Sequence, residues 1–322
     1  MVSKDTATLH PSIDIQTAAT TQWDIVVVGA GPAGTAVAAR AATNKLRVLF
    51  IDRSALPRPK VCGCCLSPLA LTELSNLSKN TIPQFTMSTL SLTELTIVSQ
   101  GYCASVPYAT GGVLSRISLD TCLARHAIAA NASWLPNTRA VSCKVDQEAV
   151  TLTVQTASQS HHTIETKRLL LAGGLHDAMR IQGDSAVHRP PRNRPRNNRI
   201  GLGATLRSTG GAITERHLVM AVGSGGYCGF VRLEDGSIDV AAAVHPSLLK
   251  RGGTPADALS RLLEETFQDV ECPIDMSLLQ GSGVLATPQL THHTGHVDPQ
   301  CTRILRVGDA VGYIEPFTGE GI

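Results

Sequence analysis

The sequence predicts an α/β protein in which a three-layer domain with a parallel sheet carries an inserted, antiparallel-sheet domain. Two observations predict this architecture. Apolar runs that start at Asp24 and Leu46 flank a helical stretch of small residues, as in a βαβ unit. The segments 85–108 and 200–245 have strand-like patterns, the first of them alternating polar and apolar residues. With 322 residues the chain is long enough for both domains.

Composition narrows the class of protein. The formal net charge is +2 and aromatic residues make up 3% of the chain, so neither a basic surface nor a stacking platform for nucleic acid is expected. No apolar run approaches the roughly 20 residues of a transmembrane helix, although peripheral membrane contact stays open. The nine cysteines are odd in number and scattered, which argues against a disulfide framework and favours the cytoplasm.

The elements of the first half follow in order. Residues 1–22 are rich in Thr, Ala and Ser, lack a secretory pattern and are predicted to be a disordered tail. Residues 24–29 and 46–52 are β-branched or apolar runs typical of strands buried on both faces. Residues 35–42 between them predict a helix that packs closely on a sheet.

The later elements are predicted from caps, turns and periodicity. A helix over 118–130 is expected to be capped by Ser118, and a helix over 254–267 by Thr254 with Pro255 at its first position. Further expectations are strands at 148–154 and 167–172, a proline-rich loop at 188–199 and a hairpin turn at 234–236.

These elements predict a discontinuous domain arrangement. The nucleotide-binding domain is assembled from 23–84, 109–187 and 298–322, and the substrate domain from 85–108 and 198–297.

A glycine motif stands between the first strand and the first helix, with the sequence Gly29-Ala-Gly31-Pro32-Ala33-Gly34. Gly29 allows a tight turn, Gly31 lets the backbone approach a pyrophosphate, and Gly34 allows helix and strand to pack closely. The helix N-terminus favours phosphate charge. Asp52, followed by Arg53, ends the second strand where a carboxylate can accept hydrogen bonds from ribose hydroxyls. A dinucleotide is therefore the expected ligand.

The C-terminal segment resembles the second FAD signature of the para-hydroxybenzoate hydroxylase-like flavoproteins. It runs Arg306-Val-Gly308-Asp309 and continues to Pro316-Phe-Thr-Gly319-Glu-Gly321. The resemblance implies that Asp309 holds the ribityl chain and that the proline and the glycines after it lie against the isoalloxazine. FAD rather than NAD is then the expected cofactor.

Within that superfamily the chain resembles the geranylgeranyl reductase family. Its segment Pro57-Arg-Pro-Lys60-Val-Cys62-Gly-Cys-Cys-Leu is similar to a family segment that passes beside the flavin, although two glycines are replaced by cysteines. Arg116 matches an arginine that opens a helix and contacts the cofactor, and Gly226–Phe230 is similar to a substrate-domain segment. The aspartate usual after the strand at 169–171 is absent, which leaves open whether NADPH or another reductant donates electrons.

The cysteine and histidine clusters each allow two interpretations. Cys62, Cys64 and Cys65 form either a redox relay to the flavin or a crowded turn of small, soft side chains. His292, His293 and His296 have spacings that a metal site uses, but their surroundings favour a surface loop, as for His161-His162.

The resemblance implies an FAD-dependent oxidoreductase that reduces carbon–carbon double bonds of a small apolar, isoprenoid-like substrate. Two alternatives remain: a flavin-dependent monooxygenase of an aromatic or polyketide substrate, and a non-catalytic FAD-binding remnant or maturation partner. In the resembled families a helix follows the last glycines and faces the flavin. Because this sequence stops at Ile322, we expect a fragment that binds FAD weakly or folds poorly.

Overall fold

The computed structural model describes most of the chain, namely residues 7–78, 89–108, 111–176, 179–183, 198–207, 213–250, 253–293, 302–315 and 317. Its α-helices are α1 Ile15–Thr20, α2 Pro32–Thr43, α3 Pro68–Ser78, α4 Arg116–Ala129, α5 Pro246–Lys250, α6 Pro255–Phe267 and α7 Ser277–Gly281. Single 3-10 turns lie at Gly174–His176 and Gly308–Ala310. The described part of the chain contains no helix that is long and apolar enough to cross a membrane.

The strands are β1 Trp23–Val28, β2 Val48–Ile51, β3 Cys65–Leu66, β4 Leu90–Ser91, β5 Glu94–Ser99, β6 Tyr102–Pro107, β7 Gly112–Val113, β8 Ser133–Leu135, β9 Thr138–Val145, β10 Val150–Thr156, β11 His161–Leu171, β12 Arg180–Gly183, β13 Ile200–Leu206, β14 His217–Gly223, β15 Gly226–Arg232, β16 Ile238–Val244, β17 Leu285–Gln289, β18 His292–His293, β19 Ile304–Arg306 and β20 Gly312–Tyr313.

The chain divides into two compact units, each built from separate stretches. Unit 1 comprises Met1–Arg58, Ile117–Asn193 and His292–Tyr313, and unit 2 comprises Pro59–Arg116, Arg194–Thr291 and Ile314–Ile322. The sequence assigns 59–78 and 111–116 to the nucleotide-binding domain, whereas both stretches belong to unit 2 here.

Unit 1 contains the predicted Rossmann-like sheet. Strands β19, β11, β1, β2 and β8 lie side by side and are all parallel. The N-terminal half of β11 also pairs antiparallel with β10, which pairs with β9. β11 is longer than the predicted strand because exposed His161 and half-buried His162 continue it, so these two residues do not lie in a loop.

Two apolar layers cover this sheet. On one face, α2 and α4 pack against Val27, Phe50 and Trp134. The rings of Phe50 and Trp134 stack with their centres 4.7 Å apart. On the other face, Val26, Leu49 and Leu169 pack against the β9–β10 strands and α1. Helices, parallel sheet and antiparallel strands are therefore the three layers of an FAD-binding Rossmann-like fold.

The N-terminal residues are ordered where the structure describes them. Asp14 caps α1 by accepting from the amide of Thr17 at 2.9 Å, and Ala18 on this helix is fully buried. Residues 7–22 thus form part of unit 1, whereas the sequence predicts a disordered tail.

The predicted cap of α4 is wrong. The helix begins at Arg116, so Ser118 lies inside its first turn. The preceding residue, Ser115, instead uses its hydroxyl and amide to donate to Glu234, at 2.6 and 3.0 Å. The residue before the helix thus makes a tertiary contact that the sequence did not indicate.

Unit 2 contains a seven-stranded sheet of order β17-β13-β16-β15-β14-β5-β6. All neighbouring pairs are antiparallel except β14 and β5, which run parallel, so the predicted antiparallel sheet is correct apart from one pair. The predicted hairpin turn joins β15 to β16, with Gly236 at φ +83°. A small sheet of order β3-β7-β4 belongs to the same unit.

Helix α6 has the predicted cap and covers one face of the seven-stranded sheet. Thr254 and Asp257 form a reciprocal capping box, and Pro255 occupies the first turn. The apolar face of the helix, which includes Leu259 and Leu262, packs against Phe230 and Val240 of the sheet.

Candidate functional site

The glycine turn of unit 1 is closed so tightly that side chains are excluded at two positions. Gly29 has φ +113°, and a Cβ there would lie 2.3 Å from the carbonyl oxygen of Ala172. A Cβ on Gly34 would lie 2.0 Å from the carbonyl oxygen of Gly29. The turn therefore joins β1 to α2 by direct backbone packing, which is the role the sequence predicts for its first and third glycines.

The N-terminus of α2 offers backbone donors beside this turn. Gly31 is the cap residue, no side chain caps it, and Pro32 follows. The first hydrogen bond of the helix runs from Thr35 N to Gly31 O at 3.0 Å, so the amides of Ala33 and Gly34 precede the helical ladder. Uncapped amides and the positive end of a helix dipole favour a phosphate.

The Asp52 carboxylate ties the turn to the second strand. Its Oδ2 accepts from the amide of Ala30 at 2.9 Å and from the guanidinium of Arg58 at 2.9 Å. Its Oδ1 accepts from the amide of Ser54 at 3.0 Å. Arg58 is a partner that the sequence did not indicate. A carboxylate has about four acceptor positions, so Asp52 can accept a further hydrogen bond, and its binding to a ribose stays a prediction. A role for exposed Arg53 also stays a prediction.

The two sequence motifs from opposite ends of the chain meet in unit 1. β19 pairs with β11 at Leu169–Leu171, and the amide of Val307 donates to Leu171 O at 3.0 Å. Gly308 follows at φ +60°, and a Cβ on it would lie 2.7 Å from the Cβ of Ala33. This contact places the 3-10 turn that carries Asp309 against the start of α2.

Several candidate residues remain untested in their proposed roles. Pro316, Gly319 and Gly321 lie outside the described residues. Lys60 is exposed, Arg116 is buried, and both belong to unit 2. Their contact with a cofactor stays a prediction.

Unit 2 brings together four side chains that we call the dithiol cluster: Cys62, Cys64, Arg116 and Asp239. Cys62 is partly exposed, whereas Cys64 and Asp239 are buried. The Cys64 thiol lies 3.8 Å from the carbonyl oxygen of Cys62, and it influences the pKa of both the Cys62 thiol and the Asp239 carboxyl group. The buried Cys64 thiol therefore has two acidic groups near it, the Cys62 thiol and the Asp239 carboxyl group.

The two thiols of the cluster are polarised in opposite directions. The Cys64 thiol and then the Arg116 guanidinium stabilise the Cys62 thiolate against the effect of burial, and lower the pKa of Cys62 to about 6. The neighbouring Cys62 side chain, burial and the Asp239 carboxyl group raise the pKa of Cys64. Burial, followed by the charge of Cys62, raises the pKa of Asp239.

Asp239 is the functional candidate that sequence reasoning missed. It is the charged residue of an otherwise apolar strand, Ile238–Val244, where alternation puts it on the face opposite α6. One of its oxygens, Oδ2, makes no hydrogen bond with the described residues. A single acid within an apolar strand was the signal that could have revealed it.

The segment 226–230 lies in β15, and its tyrosine belongs to a further cluster in unit 2. The ring of Tyr227 contacts Phe317 edge-on at 4.9 Å, and the Arg199 guanidinium lies 5.6 Å from the ring centre. Arg199 also pairs with Glu315 at 2.8 Å. Because Arg199 already has this partner, the cluster gives no direct indication of a ligand.

The structure describes the histidine cluster only in part. The backbone of His292–His293 forms β18 and pairs with β20, so these residues are in a strand rather than a loop. His296 lies outside the described residues. Among the residues that are described, no group of three His, Cys, Asp or Glu side chains could hold a metal ion.

The chain belongs to the pyridine nucleotide-disulphide oxidoreductase family, whose model matches residues 23–231. This match includes the glycine turn, Asp52 and the dithiol cluster except for Asp239. The family assignment supports an oxidoreductase.

A short segment is similar to curated reductases. The chain is 51% identical over 57 residues to a menaquinone reductase of Mycolicibacterium smegmatis, and 56% identical over 54 residues to a menaquinone reductase of Mycobacterium tuberculosis. These segments cover 18% and 17% of this chain and only 14% and 13% of the relatives.

Solved structures show the same fold over nearly the whole chain. The myxobacterial chondrochloren halogenase CndH, an FAD-dependent halogenase, matches with a TM-score of 0.76 and 16% identity over 93% of this chain and 71% of its own. The flavin-dependent halogenase CmlS matches with a TM-score of 0.71 and 17% identity over 94% of this chain and 56% of its own. The halogenase PltM in complex with phloroglucinol and FAD matches with a TM-score of 0.69 and 13% identity, over 93% and 66%. At these identities the likeness concerns the fold.

Proposed function

We propose that the chain is an FAD-dependent reductase that reduces an apolar substrate of the isoprenoid quinone or polyisoprenoid class. The main support for FAD as the cofactor is the contact between Gly308 and Ala33. It brings the two motifs of an FAD site together in one unit. The similarity to menaquinone reductases supports reduction over oxygenation, and an apolar substrate over a polar one.

The residues of unit 1 fit the cofactor that this function needs. The turn before α2 is closely packed backbone at Gly29 and Gly34, and its cap residue Gly31 has no side chain, which suits a pyrophosphate. The amides of Ala33 and Gly34 would hold the phosphates, Asp52 the ribose and Asp309 the ribityl chain. When bound, FAD supplies hydride transfer, and the protein supplies binding, orientation and charge.

The first experiment tests the cofactor. The purified chain should show the visible absorbance of bound flavin, and Gly31→Val should lose it because a branched side chain intrudes where backbone meets pyrophosphate. Gly281→Ala is the matched control, since no atom lies within 4 Å of the added methyl. Full flavin occupancy in Gly31→Val would contradict the assignment.

The second experiment tests the reaction. Without oxygen, the protein should be reduced by NADPH or by dithionite, and menaquinone should then restore the oxidised spectrum. The competing function is an aromatic monooxygenase. Its support is the fold that this chain shares with an FAD-dependent halogenase. A protein that turns over only with oxygen, and leaves an oxygen atom in its product, would favour that alternative.

A further inference from the structure

Strand β6 is an open edge of the seven-stranded sheet in unit 2. It is the last strand of the order β17-β13-β16-β15-β14-β5-β6, and all of its residues, Tyr102–Pro107, are exposed. The strand contains no charged residue, and its proline stands at the last position. Natural proteins usually protect edge strands with charges, prolines or bulges, because unpaired backbone groups bind other strands. β6 largely lacks such protection.

The opposite edge of the same sheet is protected. β17, Leu285–Gln289, contains Pro288 within the strand, where a proline removes a backbone donor. Its pairing with β13 is also irregular between Ile200 and Leu202. β6, in contrast, pairs with β5 in a continuous register of six residue pairs. The lack of protection is therefore specific to the β6 edge.

Side chains hold β6 firmly to the sheet. The hydroxyl oxygen of Ser105 lies 2.5 Å from that of Thr96 on β5, which lies 2.8 Å from Nε2 of His217 on β14. The turn between β5 and β6 has Gln100 at φ +50° and Gly101 at φ +76°, the two positive values of a type I′ hairpin turn. The edge is thus a preformed part of the sheet.

The hydrogen bonds of the hairpin determine which backbone groups of β6 face outward. The amide of Tyr108 donates to Thr93 O at 2.9 Å, and this pair continues the register of β5 and β6. Hydrogen-bonded and non-hydrogen-bonded pairs alternate along antiparallel strands, so Ala104 bonds to β5. Cys103 and Ser105 therefore direct their N–H and C=O groups away from β5. No described residue bonds to these four groups.

A second copy of β6 fits these four groups. In an antiparallel pair with a two-fold axis at Ala104, Cys103 lies opposite Ser105 of the second copy, and all four groups are bonded. An axis at Ser105 would place a carbonyl against Pro107, which has no N–H. An axis at Cys103 would place a carbonyl against Gly101, whose N–H already donates to α6 at 3.0 Å. The backbone therefore favours the axis at Ala104.

Side chains on the sheet face opposite α6 suit the same axis. Ile97, Tyr102 and Val106 lie on this face and are 38%, 82% and 47% exposed. The axis puts the small side chain of Ala104 opposite its own copy. It also puts Tyr102 opposite Val106 of the second copy, and aromatic and β-branched side chains form favourable cross-strand pairs. Because the strand is uncharged, no like charges meet across the axis.

We propose that the chain forms a two-fold symmetric dimer in which β6 pairs antiparallel with β6 of a second copy about Ala104. The seven-stranded sheet then continues across both copies. The occupant of the edge is a second copy rather than another protein, because the backbone groups, the small central residue and its flanking side chains are self-complementary. A two-fold interface requires such self-complementarity.

A cysteine cross-link in the full chain tests the register. Non-hydrogen-bonded partners on antiparallel strands have Cα atoms about 4.5 Å apart, which is within the range of a disulfide. Ala104→Cys in a Cys103→Ser background should give a covalent dimer on mild oxidation, and peptide mass spectrometry should identify the introduced thiols as the linked pair. Val106→Cys in the same background is the matched control, since its two copies would lie about 13 Å apart along the strands and should not be linked.

Two variants of equal size test the dimer without a cross-link. Ala104→Glu places like charges directly across the axis, so its dimer dissociation constant should be roughly tenfold above that of Ala104→Gln. Position 104 is exposed, so both variants should fold alike, which circular dichroism checks. Sedimentation velocity over a concentration series measures the two dissociation constants.

Three results would overturn the proposal. They are a native chain that stays monomeric at every concentration, equal cross-linking of Val106→Cys and Ala104→Cys, and equal dissociation constants for the two variants of equal size. The first result would leave the edge to a different occupant. None of these measurements depends on bound FAD, so their failure is distinct from failure of the proposed function.

Discussion

Gly308 packs against Ala33 so closely that an added Cβ would lie 2.7 Å from the alanine methyl group. The two residues come from opposite ends of the chain, and each belongs to one of the two motifs that the sequence singles out. Their contact sets the distance between the start of α2 and the turn that carries Asp309. A side chain at this point should therefore disturb the unit around the candidate site.

The first prediction concerns this contact. Gly308→Ala should destabilise the protein by about 2–4 kcal/mol, because the methyl group both strains the positive φ and overlaps Ala33. The matched control is Gly236→Ala, also at positive φ but with no atom within 4 Å, which should cost only about 1 kcal/mol. Urea unfolding of the two variants measures the difference. Equal losses would show that crowding at Ala33 has no effect.

The second prediction concerns two Arg–Asp pairs. Arg58→Met should cost about 1–3 kcal/mol, because Asp52 is only 9% exposed in its side chain and would lose one of its three donors. Arg47→Ala should cost less than about 1 kcal/mol, since that arginine is 55% exposed and Asp24 keeps Lys167 at 2.8 Å. Thermal unfolding at matched pH compares them. A larger loss for Arg47→Ala would reverse the order argued here.

Local sequence patterns predicted the nucleotide-binding half of the fold well. The apolar runs at β1 and β2 are buried or partly buried in a parallel sheet, and the turn between them leaves no room for a side chain at Gly29 or Gly34. The capping box at Thr254 is likewise encoded within four residues. Such features are predictable because the residue pattern that encodes each of them lies within a short stretch of sequence.

Features that rest on distant partners were not predictable. Ser118 has the composition of a cap, but Glu234 binds Ser115 and the helix starts earlier. The influence of Cys64 on the pKa of Asp239 depends on how β3 and β16 are placed within unit 2, which no local pattern contains. The dithiol cluster could therefore be recognised as unusual in sequence, but its polarity could be derived only from the structure.

The third prediction concerns His126, which is buried on α4 and whose Nδ1 has no partner among the described residues. Burial lowers its pKa, so the folded protein holds it neutral. The unfolded chain then binds a proton first as pH falls through about 6.5, and stability is lost from that value downward. The melting temperature should fall between about pH 7.5 and about pH 5.5, and His126→Leu should reduce that fall.

The control for this prediction is His161→Leu, which alters an exposed histidine at the start of β11. Its pH profile should match that of the native protein. If both variants keep the native slope, groups other than His126 cause the acid sensitivity.

The last prediction concerns Asp239, whose pKa is raised chiefly by burial. For an acid of this kind the folded protein holds its proton at pH values where the unfolded chain has released it. The contribution to stability is thus present below the unfolded pKa of about 3.9 and is lost as pH rises towards the raised value. Asp239→Asn keeps the size of the side chain without its charge, so it should be more stable than the native protein at neutral pH and above.

The control is Asp269→Asn, which changes an exposed acid and should leave stability unchanged. Urea unfolding across this pH range measures both variants, and an Asp239→Asn protein that is less stable at every pH would show that the carboxylate is favourable where it lies.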